Sequence, residues 1–151
     1  MTARACGECA VCCTLLGVNE LGKAGRTPCL HQRGIGCAIY ETRPSSCQTF
    51  NCGWLLGLLR HDDRPDHLGV MLTGTSDDNP LRKLGVNPVL VIETVAGGLE
   101  RAKAPLVRLS RERVLVLLSV DGQERVVGPR REMRAVARWD ARARRAAEGV
   151  Q

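Results

Sequence analysis

Apolar positions fall into three regimes along the chain. Up to about Gly53 they form only short pairs, Leu15-Leu16 and Ile39-Tyr40, scattered among Cys and Gly. Packing alone would hold such a segment poorly. Trp54-Leu55-Leu56-Gly57-Leu58-Leu59 then concentrates apolar side chains in six positions, which predicts one or two buried helical turns pinning the first segment to the rest. A polar stretch, residues 60–67, follows it. Residues 68–73, 88–95, 106–109 and 114–120 are Val/Leu/Ile-rich runs of strand length, separated by Gly, Pro, Asn and Asp. Asp121-Gly122 joins the last of these to residues 124–127 in the manner of a hairpin. From Arg130 onward, good helix formers with Val136, Trp139 and Ala143 three to four apart predict a carboxy-terminal helix with one apolar stripe.

The expected architecture is one α+β domain with three regions. A metal-clamped, Cys-rich amino-terminal module (1–75) packs on a small, mostly antiparallel sheet in a strand-rich body (76–128), followed by a basic helix (129–151). A chain of 151 residues, 44% apolar, is long enough to bury one ordinary core. Aromatic residues make up only 3%, so that core is mostly Leu and Val, and platforms for stacking on single-stranded nucleic acid are few.

The cysteines supply the candidate chemistry. All eight lie between Cys6 and Cys52. The amino-terminal residues contain no signal-like apolar region and no run of about 18 apolar residues could span a bilayer, so a cytoplasmic address and no membrane partner are expected. In a reducing compartment, clustered thiols read as metal ligands or redox groups before they read as disulfides. Cys6-Gly-Glu-Cys9-Ala-Val-Cys12-Cys13 places four thiols in eight residues, and each C-x-x-C turn lets two sulfurs converge on one ion. Cys29, Cys37, Cys47 and Cys52 sit near loops containing Gly34-Ile35-Gly36 and Arg43-Pro44 that can fold back on the first group. Adjacent Cys12 and Cys13 are expected to diverge and so to serve two ions, or one ion and a bridge. Arg4, Lys23, Arg26, Arg33 and Arg43 can offset thiolate charge.

Zinc is the first reading of the metal, with more than one ion; an iron–sulfur cluster is the alternative, because Cys6, Cys9 and Cys12 reproduce the three-cysteine run of a bacterial ferredoxin without its Cys-Pro. His61, Asp62, Asp63, Asp66 and His67 form a second polar cluster, read as a solvated loop in preference to a metal or acid–base site. His31 is taken as a surface residue. No nucleophile paired with a base and no phosphate-binding Gly loop is recognisable, so a non-enzymatic role is favoured.

Charge adds one further feature. The net charge is +6, and residues 129–151 carry seven Arg against three acids, +4, leaving +2 for the remainder. This Arg-rich helix is a candidate contact for nucleic acid or an acidic protein. A helix docked on the sheet through Val136 and Trp139 accounts for the same residues.

In order and spacing, Cys6-x-x-Cys9-x-x-Cys12-Cys13, Cys29, Gly36-Cys37-Ala38-Ile39-Tyr40, Arg43-Pro44-x-x-Cys47, Phe50-x-Cys52-x-Trp54 and Arg64-Pro65-Asp66 resemble the CxxCxxCC, or YkgJ-like, family of small bacterial proteins described as zinc- or iron-chelating domains. The resemblance covers about residues 6–75. It implies metal chelation by the cysteines; some relatives of the pattern, such as flagellin lysine methylases, are associated with iron–sulfur clusters. The expected function is metal binding in a structural, storage or delivery role. The alternatives are an iron–sulfur redox or maturation enzyme and a zinc-stabilised protein or nucleic-acid interaction module.

Overall fold

Four strands form one mixed sheet in the order β1-β2-β3-β4 in the computed structural model, which describes residues 4–34 and 36–148. These are β1 (Val70–Gly74), β2 (Val89–Glu93), β3 (Leu115–Leu118) and β4 (Glu124–Val127). β1 and β2 run antiparallel with Leu72 opposite Val91, and β3 and β4 antiparallel with Val116 opposite Val126; between them β2 and β3 are parallel, with Leu90 opposite Val116. Two of the three pairings are antiparallel, in keeping with the mostly antiparallel sheet expected from sequence, and the sheet is mixed because a helical crossover joins its two central strands.

That crossover contains the run predicted as a strand that forms a helix. Residues 106–109 lie not in a strand but in a helix, α5 (Lys103–Ser110), preceded by α4 (Gly98–Arg101). Ala102, Leu106 and Leu109 are all buried, and their spacing of four and three is the helical period that a four-residue apolar run is too short to display. Pro105 sits at the third helical residue, where the ring displaces no intrahelical hydrogen bond.

The sheet is covered on both sides. The main core joins Val70, Met71, Leu72, Val91 and Leu115 to Ala102, Leu106 and Leu109 and to Trp54 and Leu59. A smaller cluster unites Val114 and Val116 with Leu81 and Val86, and Leu90, Val126 and Val136 pack against it. Leu81 comes from a 3-10 turn, Pro80–Leu84, and Val136 from α6 (Arg130–Glu148), the expected carboxy-terminal helix. Only part of its predicted stripe is buried: Val136 meets the core, whereas Trp139 is 37% exposed and Ala143 is exposed. The helix outruns the body it docks on.

Residues 54–59 form turns, not a helix, because Gly57 takes a left-handed backbone (φ 79°). The predicted pinning nevertheless holds, since Trp54 and Leu59 are among the most buried residues. The remaining helix of the body, α3 (Pro65–Leu68), ends on left-handed Gly69 and crosses α4 at Gly98. A Cβ on Gly98 would fall inside the Gly69 carbonyl, so the crossing requires glycine there.

Among the described residues, Glu93 is the one buried charged residue of the core. Its carboxylate accepts the Leu99 amide (3.1 Å) at the start of α4 and the Val120 amide (3.0 Å) at the β3–β4 turn. These backbone donors hold its carboxyl below the ordinary carboxylate range. A depressed folded-state pKa stabilises the fold above the unfolded value, near 4.5, and that contribution disappears as pH falls through the folded value. Glu93→Gln is therefore expected to cost about 1–2 kcal/mol at pH 7, measured by urea denaturation, with the gap to wild type closing below pH 4.5.

Candidate functional site: a cavity lined by eight cysteines

The Cys-rich segment folds as short turns tied by polar contacts. α1 (Val11–Leu15) carries Cys12 and Cys13, and α2 (Ser45–Thr49) carries Cys47. Helices this short are marginal in isolation, and both are braced at their ends. Lys23 Nζ donates to the carbonyls of Leu16 (2.5 Å) and Thr14 (3.4 Å) at the carboxy end of α1, where a cation also complements the helix dipole. At the other helix, the Glu20 carboxylate accepts from Ser46 N (3.0 Å), Ser46 Oγ (2.8 Å) and Ser45 Oγ (3.1 Å). Those donors at the amino end of α2 pull the Glu20 carboxyl down to about 2.

The backbone brings the two cysteine groups together. Cys9 N donates to Cys6 O (2.9 Å), closing the first C-x-x-C turn, and Cys29 N donates to Cys13 O (3.1 Å), joining the second group to the first. Gln32 and Cys37 pair across a small loop, with Ala38 N donating to His31 O (2.8 Å). Cys52 is anchored from the sheet side: Gly53 N donates to Leu72 O (2.7 Å) on β1. Arg4 Nη1 clamps the amino end to this segment by donating to the carbonyls of Trp54 and Leu59.

Cys6, Cys9, Cys12, Cys13, Cys29, Cys37, Cys47 and Cys52 all line a single cavity of about 330 Å³. Phe50, Trp54 and Met71 contribute apolar wall, and Lys23 and Arg43 also reach it. All eight are thiols, with no disulfide among them. Among the described residues, no group of three or more His, Cys, Asp or Glu side chains stands ready arranged to hold a metal ion; the sulfurs surround a space without converging on a point in it. The donor set itself is what a thiophilic metal requires.

The thiols also sense one another electrically. Burial pushes Cys6 up, and Cys52 and Cys13 push it further. Burial likewise raises Cys9 and Cys47, with added repulsion from Asp66 on the former and from Cys13 on the latter. The neighbouring thiols Cys12 and Cys13 differ: Cys12 is pushed up by its interaction with Cys13 and by burial, whereas Cys13 is lowered by its interaction with the Cys12 thiol, against the opposing effect of burial and with help from Lys23 and Arg43.

His31, read from sequence as a surface residue, is half-buried and lines the same cavity. The second polar cluster is engaged elsewhere. Asp66 accepts a bidentate pair from Arg64 (2.7 and 2.8 Å), Asp63 accepts the Arg60 amide (3.2 Å) and Arg108 (3.5 Å), and His61 faces Asp62 (3.6 Å) in solvent. Arg64 also lies 3.8 Å from Glu8, so this loop closes over the first cysteine turn. Glu20, which no motif flags, organises the site through a partner 26 residues away; Lys23, expected from sequence to offset thiolate charge, also ties off α1 through a carbonyl 7 residues away.

With its pKa about 6, Cys13 is expected to be the first thiol alkylated by iodoacetamide in reduced, metal-free protein at pH 7, read by peptide mass mapping. Its rate should climb as pH rises through 6, and Cys13→Ser should abolish the fast phase; a fast phase surviving that substitution would reassign the nucleophile.

Compared with protein-family models, curated proteins and solved structures, the chain gives no match, and the chemistry of the cavity alone carries the functional reading.

Proposed function

We propose that this chain is a metal-binding protein that holds zinc through its cysteine thiolates, in the manner of the CxxCxxCC family its spacing resembles. The observation that carries the reading is the enclosure of one cavity by all eight thiols. Thiolates clustered in a partly buried space repel one another and lose hydration, so they must either keep their protons or bind cations. The raised pKa values of Cys6, Cys9, Cys12 and Cys47 express the first state. Zinc or another thiophilic metal supplies the second, displacing protons and converting repulsion into bonds.

The eight cysteines are the residues that would hold the metal. When bound, zinc supplies cross-links between segments that have little apolar packing of their own. Eight donors suffice to close two four-coordinate ions, so the set favours structural, storage or delivery roles over Lewis-acid catalysis, which needs an open position. Iron–sulfur binding is the second reading, favoured by the Cys6, Cys9, Cys12 run against an apolar wall of Phe50 and Trp54. Either use of free thiols fits a reducing, cytoplasmic setting. Among the described residues, no helix is long and apolar enough to cross a membrane.

The decisive experiment is elemental analysis with the visible spectrum of protein purified without air or chelator. About two colourless zinc ions per chain are expected. Brown protein with iron and acid-labile sulfide would install the iron–sulfur reading, and reduced protein with no metal would overturn both. Cys9→Ser is expected to lower metal content and melting temperature together, measured by mass spectrometry of the metal and by calorimetry.

A further inference from the structure

α6 carries two unlike faces. Counting about 100° per residue, Met133, Val136 and Asp140 fall on one side and are partly buried, as are Glu132 and Ala135 at the margins of that side. Arg131, Arg134, Arg138, Arg142 and Arg145 are spaced three, four, four and three apart. They fall within an arc of about 80° on the opposite side and extend about 21 Å along the axis. All five are exposed. Among the described residues, the salt bridges include none by Arg131, Arg134, Arg138 or Arg142; the helix's one pair joins Arg144 to Asp140 (2.9 Å).

Five like charges in a row repel one another, and the fold neither interleaves them with acids on that face nor turns them toward the thiol cavity. We propose that this arginine stripe binds the phosphate backbone of double-stranded DNA without sequence preference. A duplex presents one negative charge per about 1.7 Å of axis, a density that a straight row of guanidinium groups complements over its whole length. A helix about 10–12 Å wide also fits a major groove of about 12 Å. Single strands need aromatic platforms, and Trp139, at the flank of the stripe, is the helix's one aromatic residue. A membrane surface would require a free apolar face, but the apolar residue Val136 is spent on the body. The stripe also lacks the apolar or aromatic centre on which protein partners anchor.

The test uses the full chain as purified, titrated into a fluorescently labelled 30-base-pair duplex of mixed sequence and followed by anisotropy. Micromolar to submillimolar affinity is expected at physiological salt, with a log–log salt slope of about −4 for four to five phosphates contacted. R134A/R138A/R142A is expected to weaken binding at least tenfold and flatten the slope by about 2.7, corresponding to three lost contacts. Alanine favours helix, so its circular dichroism should match wild type. K103A/R111A/R113A removes the same charge from exposed positions elsewhere and should leave binding within about twofold.

Equal losses in the two variants would reduce the effect to net charge and overturn the proposal. Tighter binding to the corresponding single strand would overturn the duplex assignment. Capture by phosphatidylserine vesicles, lost in R134A/R138A/R142A while duplex binding persists, would assign the stripe to a membrane.

Discussion

A strand at the edge of a sheet ordinarily faces solvent with unpaired backbone groups, yet Val70, Met71 and Leu72 of β1 are each at most 1% exposed. The cover is the segment Cys52-Gly53-Trp54. Gly53 seats so closely on β1 that a Cβ there would stand 2.6 Å from the Leu72 Cβ, and its amide is bonded to the Leu72 carbonyl. Trp54 then inserts into the core, its indole donating to the carbonyls of Arg60 (3.1 Å) and His61 (2.9 Å). One contact thereby does three things: it closes the sheet edge, fixes Cys52 on the core, and makes Met71 part of the cavity wall.

The rest of the thiol module packs more loosely, through the partly buried Val11, Cys12, Leu15, Leu16 and Phe50 against the core. α1 and α2 contain no fully buried residue, and the Lys23, Glu20 and Arg4 contacts add to this partial packing. Exposed polar contacts of this kind each contribute about 1 kcal/mol or less. Conformational entropy opposes ordering by about 1–2 kcal/mol for every backbone residue fixed. A segment of more than forty residues held this way gains most from cross-links among its own side chains, which is why metal binding and folding of this half are expected to be one process.

The parts legible in the sequence are those written in local pattern. The strands β1 to β4 and α6 emerge at nearly their observed positions because alternating or continuous β-branched runs and long helical periodicity are local signals. Residues 106–109 failed because their helical period is completed only by Ala102, outside the apolar run. That the eight cysteines would gather around one cavity was readable from their concentration. The approach of His31 to the cavity was not, since it depends on how loops fold back. Glu20 on α2 is a contact across 26 residues, and nothing about a lone Glu announces it.

The charge distribution constrains how the thiol cluster can be neutralised. The cavity lies against β1 at one edge of the sheet, whereas α6 follows β4 at the other and packs near the Pro80–Leu84 turn. Three strand spacings separate the two edges, about 14 Å, which exceeds the screening length of about 8 Å at physiological salt. The seven arginines of the carboxy-terminal region, the largest block of positive charge in the chain, therefore do little for the thiolates. Lys23 and Arg43 are the cations at the cavity wall, and two charges cannot balance eight. The balance must come from protons retained on the sulfurs or from cations held between them, and Cys13, whose thiol the neighbouring Cys12, Lys23 and Arg43 lower, is where the exchange of one for the other begins.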